Sequence, residues 1–106
     1  MSEIEWSEQD TNAAVDALHK AYEREVKILI DEVKQKTFNL TEIDEVWKLH
    51  DFLSARRHDI DGKYDYRDAA SVFVLATLVK QGWLSLEELQ VLGRDKLAKI
   101  SALTRI

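Results

Sequence analysis

Trp47-Lys-Leu-His-Asp-Phe-Leu-Ser-Ala-Arg-Arg-His-Asp-Ile-Asp-Gly62 reads as one helix with two different faces. At about 100° per residue, His50, Asp51, Ser54, Arg57, His58 and Asp61 fall within a sector of roughly 120° around Trp47. Val46, Leu49, Phe52, Leu53 and Ile60 fall on the other side and form the expected core stripe. A large aromatic among charges on the outward side is the informative feature, because aromatics are usually well buried and are enriched where proteins meet partners. The outward stripe is therefore read as an interface. The competing reading has Trp47 packed against another helix of its own chain, with the charges simply solvated.

Asp51 and Arg57 sharpen the first reading. They stand six residues apart, whereas an intrahelical ion pair needs three or four. Their midpoint is Ser54. Two copies of the helix crossing antiparallel about a two-fold axis near Ser54 would set Asp51 of each against Arg57 of the other, the self-complementary pattern of an isologous dimer. The alternative is a weak pair between Arg57 and Asp61, one turn on.

Around this helix the composition is that of a small all-α protein. The 106 residues include no Pro and only three Gly, so turns are few and one domain is expected. Ser7 and Asp10 form a capping box that opens a first helix, with an apolar line through Val15, Leu18, Tyr22, Val26, Leu29 and Val33. Asp16–Lys20, Glu23–Lys27 and Glu32–Lys36 are spaced to support its exposed side. Thr41 and Asp44 are expected to cap the second helix, which should end at Gly62. Asp65 and Asp68 predict the start of a third, apolar between Ala69 and Val79 and ending at Gly82. Ser85 and Glu88 predict a short fourth helix stopping at Gly93, and Leu97, Ile100 and Leu103 line a fifth. The expected plan is five helices: a hairpin stalk over residues 7–62 and a helical head over 64–106. A first helix of about 28 residues would span ~42 Å, more than the ~26 Å of a compact chain this size, so the hairpin should project and need a second copy to cover it.

The sequence disfavours several function classes. A net charge of −5 with interspersed signs gives no basic stripe for nucleic acid. Zero Cys removes disulfides, thiolate metal sites and cysteine nucleophiles, and suits the cytoplasm. No run approaches the roughly 20 apolar residues of a membrane span, and the N-terminus lacks a signal peptide's pattern. Aligning Asp59, Asp61, Gly62 and Asp65 with a calcium loop puts Arg57 at the first ligand position, or Ala70 at the last, and fails either way. His50 and His58 lie ~12 Å apart along one helix, too far to share an ion. No metal, cofactor or catalytic site is expected, and His19 reads as a surface residue.

The run Trp47 to Asp65, with Ala21-Tyr-Glu-Arg-Glu25 upstream and Asp95-Lys-Leu-Ala-Lys-Ile-Ser-Ala-Leu103 downstream, closely resembles the cyanobacterial fluorescence recovery protein family. Arg56, Asp59 and Tyr66 read as ordinary variation within that pattern. The resemblance implies a non-enzymatic, all-helical homodimer. It implies binding to the photoactivated red form of orange carotenoid protein, mainly its C-terminal domain, faster return to the orange form, and detachment from phycobilisomes. Quenching of antenna fluorescence would then end. It further implies a cytoplasmic protein working at the cytoplasmic face of the thylakoid membrane. By the same resemblance Trp47, His50, Asp51 and Arg57 belong to the dimer contact and in part to activity, and Phe73 and Lys99 to partner contacts by the head. From helix geometry Phe73 lies on the polar side of its helix with Tyr66, Thr77, Lys80 and Gln81, and a docking and a core role both remain open. A dimeric helical adaptor for a different protein partner is the alternative function.

Overall fold

Ser7 starts the longest helix, and both halves of its capping box are present: its hydroxyl accepts from the Asp10 amide at 3.0 Å, and Asp10 accepts from the Ser7 amide at 3.4 Å. The structure, a computed structural model describing residues 5–65 and 70–106, is all-helical. Its elements are α1 (Glu8–Phe38), α2 (Ile43–Lys63), α3 (Val72–Lys80), a 3₁₀ turn (Glu87–Leu89) and α4 (Arg94–Thr104). Thus four α-helices and one turn stand among the described residues where five helices were expected. At 31 residues α1 runs ~46 Å. The chain measures 57 × 26 × 24 Å, with a radius of gyration of 16.9 Å against ~13 Å for a compact domain.

The core lies at one end of that length. Ala14, Ala17, Leu18 and Ala21 of α1 meet Leu75, Ala76 and Leu78 of α3, Leu89 and Leu92 of the turn region, and Ile100 of α4. Leu18, Leu75, Leu78, Leu89 and Ile100 are fully buried, each gaining on the order of 2 kcal/mol from leaving water. The buried line of α1 sits one residue away from the expected one, with Tyr22 exposed and Val15, Val26, Leu29 and Val33 only half-buried. Small alanines explain the offset, because they let the neighbouring helices approach the α1 backbone more closely than a line of long side chains would. Beyond Glu25 no residue of α1 is buried.

Several local expectations change for identifiable reasons. Glu42, not Thr41, occupies the N-cap of α2, and the Thr41 hydroxyl donates to Glu45 at 3.1 Å instead of capping the backbone. The helix also runs through Gly62 to Lys63, with the Tyr64 amide bonding Ile60 at 3.0 Å, which carries Lys63 and Tyr64 to partners on α1. The α2 core stripe is thin: Ile60 is buried, Leu49 and Phe52 are half-buried, and Val46 and Leu53 are exposed. The expected box at Asp65 and Asp68 lies partly outside the described residues, and α3 is instead capped by Ser71, which accepts from the Val74 amide at 3.3 Å. The Ser85–Glu88 box does form, through bonds of 3.0 and 3.3 Å. It opens a 3₁₀ turn rather than an α-helix, because a three-residue period stacks Leu86, Leu89 and Leu92 toward the core on one side.

Gly82 is the left-handed residue, at φ +86°, that ends α3. The Trp83 amide reaches Leu78 at 2.9 Å and the Gly82 amide reaches Val79 at 3.0 Å, the paired bonds of a Schellman motif. Gly62, by contrast, is helical and has open space around its Cα. Gly82→Ala is therefore expected to destabilise by about 1 kcal/mol, and Gly62→Ala to stabilise by roughly 0.5–1 kcal/mol. Urea titration of the two variants checks the opposed signs.

Candidate interaction surface

On α2 the sequence-derived residues remain outside the fold. Trp47 is 59% exposed, and His50, Asp51, Ser54, Arg57 and His58 are all exposed. Within one chain the Asp51 and Arg57 side chains are each engaged locally: His50 Nδ1 lies 3.3 Å from Asp51, and Arg57 lies 3.7 Å from Asp61. Both are loose surface contacts, worth a few tenths of a kcal/mol. His50, Leu53, Ser54, Arg57, His58 and Asp61 line a shallow groove of about 430 Å³. Among the described residues no group of three His, Cys, Asp or Glu side chains is placed to hold a metal ion.

Apolar exposure concentrates at the end of the hairpin remote from the core. Ile28, Ile30 and Phe38 of α1 and Ile43, Val46, Trp47 and Leu53 of α2 all stand open to solvent. Large apolar side chains left this open are more often found where a protein meets a partner than on a free surface.

A buried carboxylate ties the hairpin together. Glu25 is 2% exposed and accepts from the Tyr64 hydroxyl at 2.7 Å, from Lys63 at 2.9 Å and from Arg56 at 3.2 Å. Arg56 also reaches Glu32 at 3.3 Å, and Lys63 reaches Gln81 past the end of α3 at 2.9 Å. One carboxylate thus links α1 to the last two turns of α2, and through Lys63 to α3. Sequence reading passes over Glu25 and treats Arg56 as variation. The signal that could have found it is spacing: Ala14, Leu18, Ala21 and Glu25 follow core steps of four, three and four, so an acid occupies a core position.

Two further ion pairs, one at the start of α1 and one beside Glu25, fasten α1 to the C-terminal part of the fold. Asp10 meets Lys96 at 2.9 Å and accepts from the Gly93 amide at 3.1 Å, at the otherwise uncapped start of α4. Arg24 grips Glu88 through two bonds of 2.8 and 2.6 Å and also donates to the Trp83 carbonyl at 2.9 Å. The Lys96 hydrogen bond holds the Asp10 carboxyl at about 2, below its ordinary 3.8, and Arg24 holds Glu88 at about 2, below 4.5. Both depressed values mean stabilisation complete above about pH 4.5 and lost as pH falls through about 2. Thermal melting from pH 6 down to pH 2 is expected to show a fall concentrated below pH 4.5 that is shallower in Asp10→Asn; an equally steep fall in that variant would assign the acid sensitivity elsewhere.

On α3 Phe73 is 66% exposed, which settles its placement on the surface rather than in the core. Its carbonyl accepts from the Thr77 hydroxyl at 2.9 Å. Lys99 is exposed on α4, on the side away from buried Ile100.

The described residues thus form an all-helical fold with a projecting hairpin, apolar side chains exposed along it and one large aromatic, Phe73, held open on α3, the features of a protein that presents surfaces rather than a catalytic pocket. Residues 6–104 match the family described as photoprotection regulator fluorescence recovery protein. The chain is 48% identical over 105 residues to the fluorescence recovery protein of Synechocystis sp. PCC 6803, covering 99% of this chain and 96% of that one. The solved structure of that protein matches with a TM-score of 0.89 over 96% of this chain and all of the other. The Fremyella diplosiphon fluorescence recovery protein structure matches at 50% identity with a TM-score of 0.87, again over 96% of this chain and all of that one. The chain belongs to the fluorescence recovery protein family of photoprotection regulators. No helix among the described residues is long and apolar enough to cross a membrane.

Proposed function

We propose that this chain is a homodimer that binds the photoactivated form of orange carotenoid protein, chiefly its C-terminal domain, and speeds its reversion to the resting orange form. Reversion releases that protein from the phycobilisome and restores antenna fluorescence. The hairpin of residues 7–62 supplies the dimer contact through Trp47, His50, Asp51, Ser54 and Arg57, and the head of residues 64–106 supplies partner contacts through Phe73 and Lys99. The exposure of Phe73 is the observation that carries the docking part, since a large aromatic held open on a helix fastened into the core is a preorganised anchor. The work is done in the cytoplasm, at the cytoplasmic face of the thylakoid membrane.

Such a regulator needs no covalent chemistry. It accelerates reversion by binding the transition between the two forms more tightly than the starting form. Holding the partner's separated domains close together would lower the entropic cost of their re-association.

Size-exclusion chromatography with the red and orange forms tests the binding step. Co-elution with the red form, reduced in Phe73→Ala while that variant's own dimer is unchanged, is the expected outcome. Failure to bind either form, together with retention of another cytoplasmic protein, would instead make the chain an adaptor for that partner.

A further inference from the structure

Between Val26 and Asp59 no residue is buried, so α2 lies along α1 on long side chains and not on an interlocked core. Its hold on the rest of the fold is concentrated at its end, in buried Ile60 and Tyr64 and in Lys63, whose side chain is 10% exposed. The Lys63 ammonium has three N–H groups and meets three acceptors, each on a different element. They are Glu25 of α1 at 2.9 Å, Asp59 one turn back on α2 at 3.2 Å, and the side-chain oxygen of Gln81 at the end of α3 at 2.9 Å. Gln81 is itself part of that helix end, its amide donating to the Thr77 carbonyl at 3.0 Å. Arg56 and Tyr64 reach Glu25 as well, and Arg56 reaches Glu32. All of these bonds end on α1, and contacts to a single neighbouring rod leave rotation about that rod open. The bond from Lys63 to Gln81 ends on a different element and opposes that rotation.

We infer that Lys63 is a positioning residue: by joining Glu25 to Gln81 it fixes the turn of α2 about α1. It thereby sets the angle between the α2 face of Trp47 and Arg57 and the helix that carries Phe73. The surfaces proposed above for dimer and partner contacts lie on those two helices. An angle preset between them removes the cost of fixing it when the partner docks. That consequence rests on the proposed function; the positioning itself does not.

Double electron–electron resonance reads the angle, because the chain has no cysteine of its own and labels can be placed singly. Lys48→Cys on α2 and Thr77→Cys on α3 are exposed and lie outside the network. Doubly labelled chain is diluted in excess unlabelled chain, so that only distances within one copy are read. The expected result is one narrow distance distribution in the labelled parent, broadened and shifted by Lys63→Met and by Gln81→Leu. Gln81→Glu, whose carboxylate still accepts from Lys63, should keep it narrow. Gln81 is exposed, so its replacement by Leu should leave the urea midpoint unchanged and keep the distance reading clear of unfolding. Equal distributions in the parent and in Gln81→Leu and Lys63→Met would overturn the inference. In the recovery assay Gln81→Leu should be slower than the parent; a parent that gives no acceleration would sink the proposed function, while the distances would still decide the role of Lys63.

Discussion

Glu25→Ala is expected to lower stability by about 3 kcal/mol, a large part of the 5–15 kcal/mol of a typical domain. The carboxylate is buried, and its removal takes one shared acceptor from three donors at once, Tyr64, Lys63 and Arg56. Arg56 keeps Glu32 and Lys63 keeps Asp59, at 3.3 and 3.2 Å, so the loss stays below that of a wholly isolated charge. The Tyr64 hydroxyl, on a residue 6% exposed, loses a bond to a charged acceptor, worth about 1.5–3 kcal/mol. Glu25→Gln, which preserves shape and one acceptor oxygen, should cost less. Urea unfolding at fixed protein concentration compares the two, and a loss under 1 kcal/mol in the alanine variant would show that the network is not a main tie between α1 and α2.

Charge reversal on α2 gives the second large effect. Arg57→Asp or Asp51→Arg alone should raise the dissociation constant of the proposed dimer by about 10- to 100-fold, because each would place like charges across its proposed two-fold axis. The double variant Asp51→Arg with Arg57→Asp restores opposite charges and should recover most of the loss. Both side chains are exposed, at 83% and 85%, so the monomer's helicity should not change in any of the three. Sedimentation equilibrium reads the constants. Single variants that dimerise as well as the parent would leave Arg57 with Asp61 as its partner and remove the cross-axis pair.

Sequence is informative where a feature is set locally and silent where it depends on a distant partner. The outward stripe of α2 was legible because a helix face follows from spacing alone, and exposure of Trp47 and Arg57 needs no partner element to be known. The Ser7 box and the Gly82 terminus were legible for the same reason, since each is closed within a few residues. Glu25 with Tyr64, Arg24 with Glu88 and Asp10 with Lys96 join residues 39, 64 and 86 positions apart, and nothing local in either partner announces the other. Gly62 misled because its fitness to end a helix was outweighed by the reach of Lys63 and Tyr64 to Glu25. At 85–93 the leucine period of three, rather than the capping box, selected the 3₁₀ turn. The family's motif lies on the surface, whereas the ties that hold that surface in place are tertiary.

Dark recovery of photoactivated orange carotenoid protein, followed by visible absorbance with and without a substoichiometric amount of this protein, tests the central claim most directly. The proposed function predicts faster return of the orange form, each dimer serving many partner molecules in turn. An unchanged rate with folded, dimeric protein would contradict it and leave a photoprotection regulator that works through some other step.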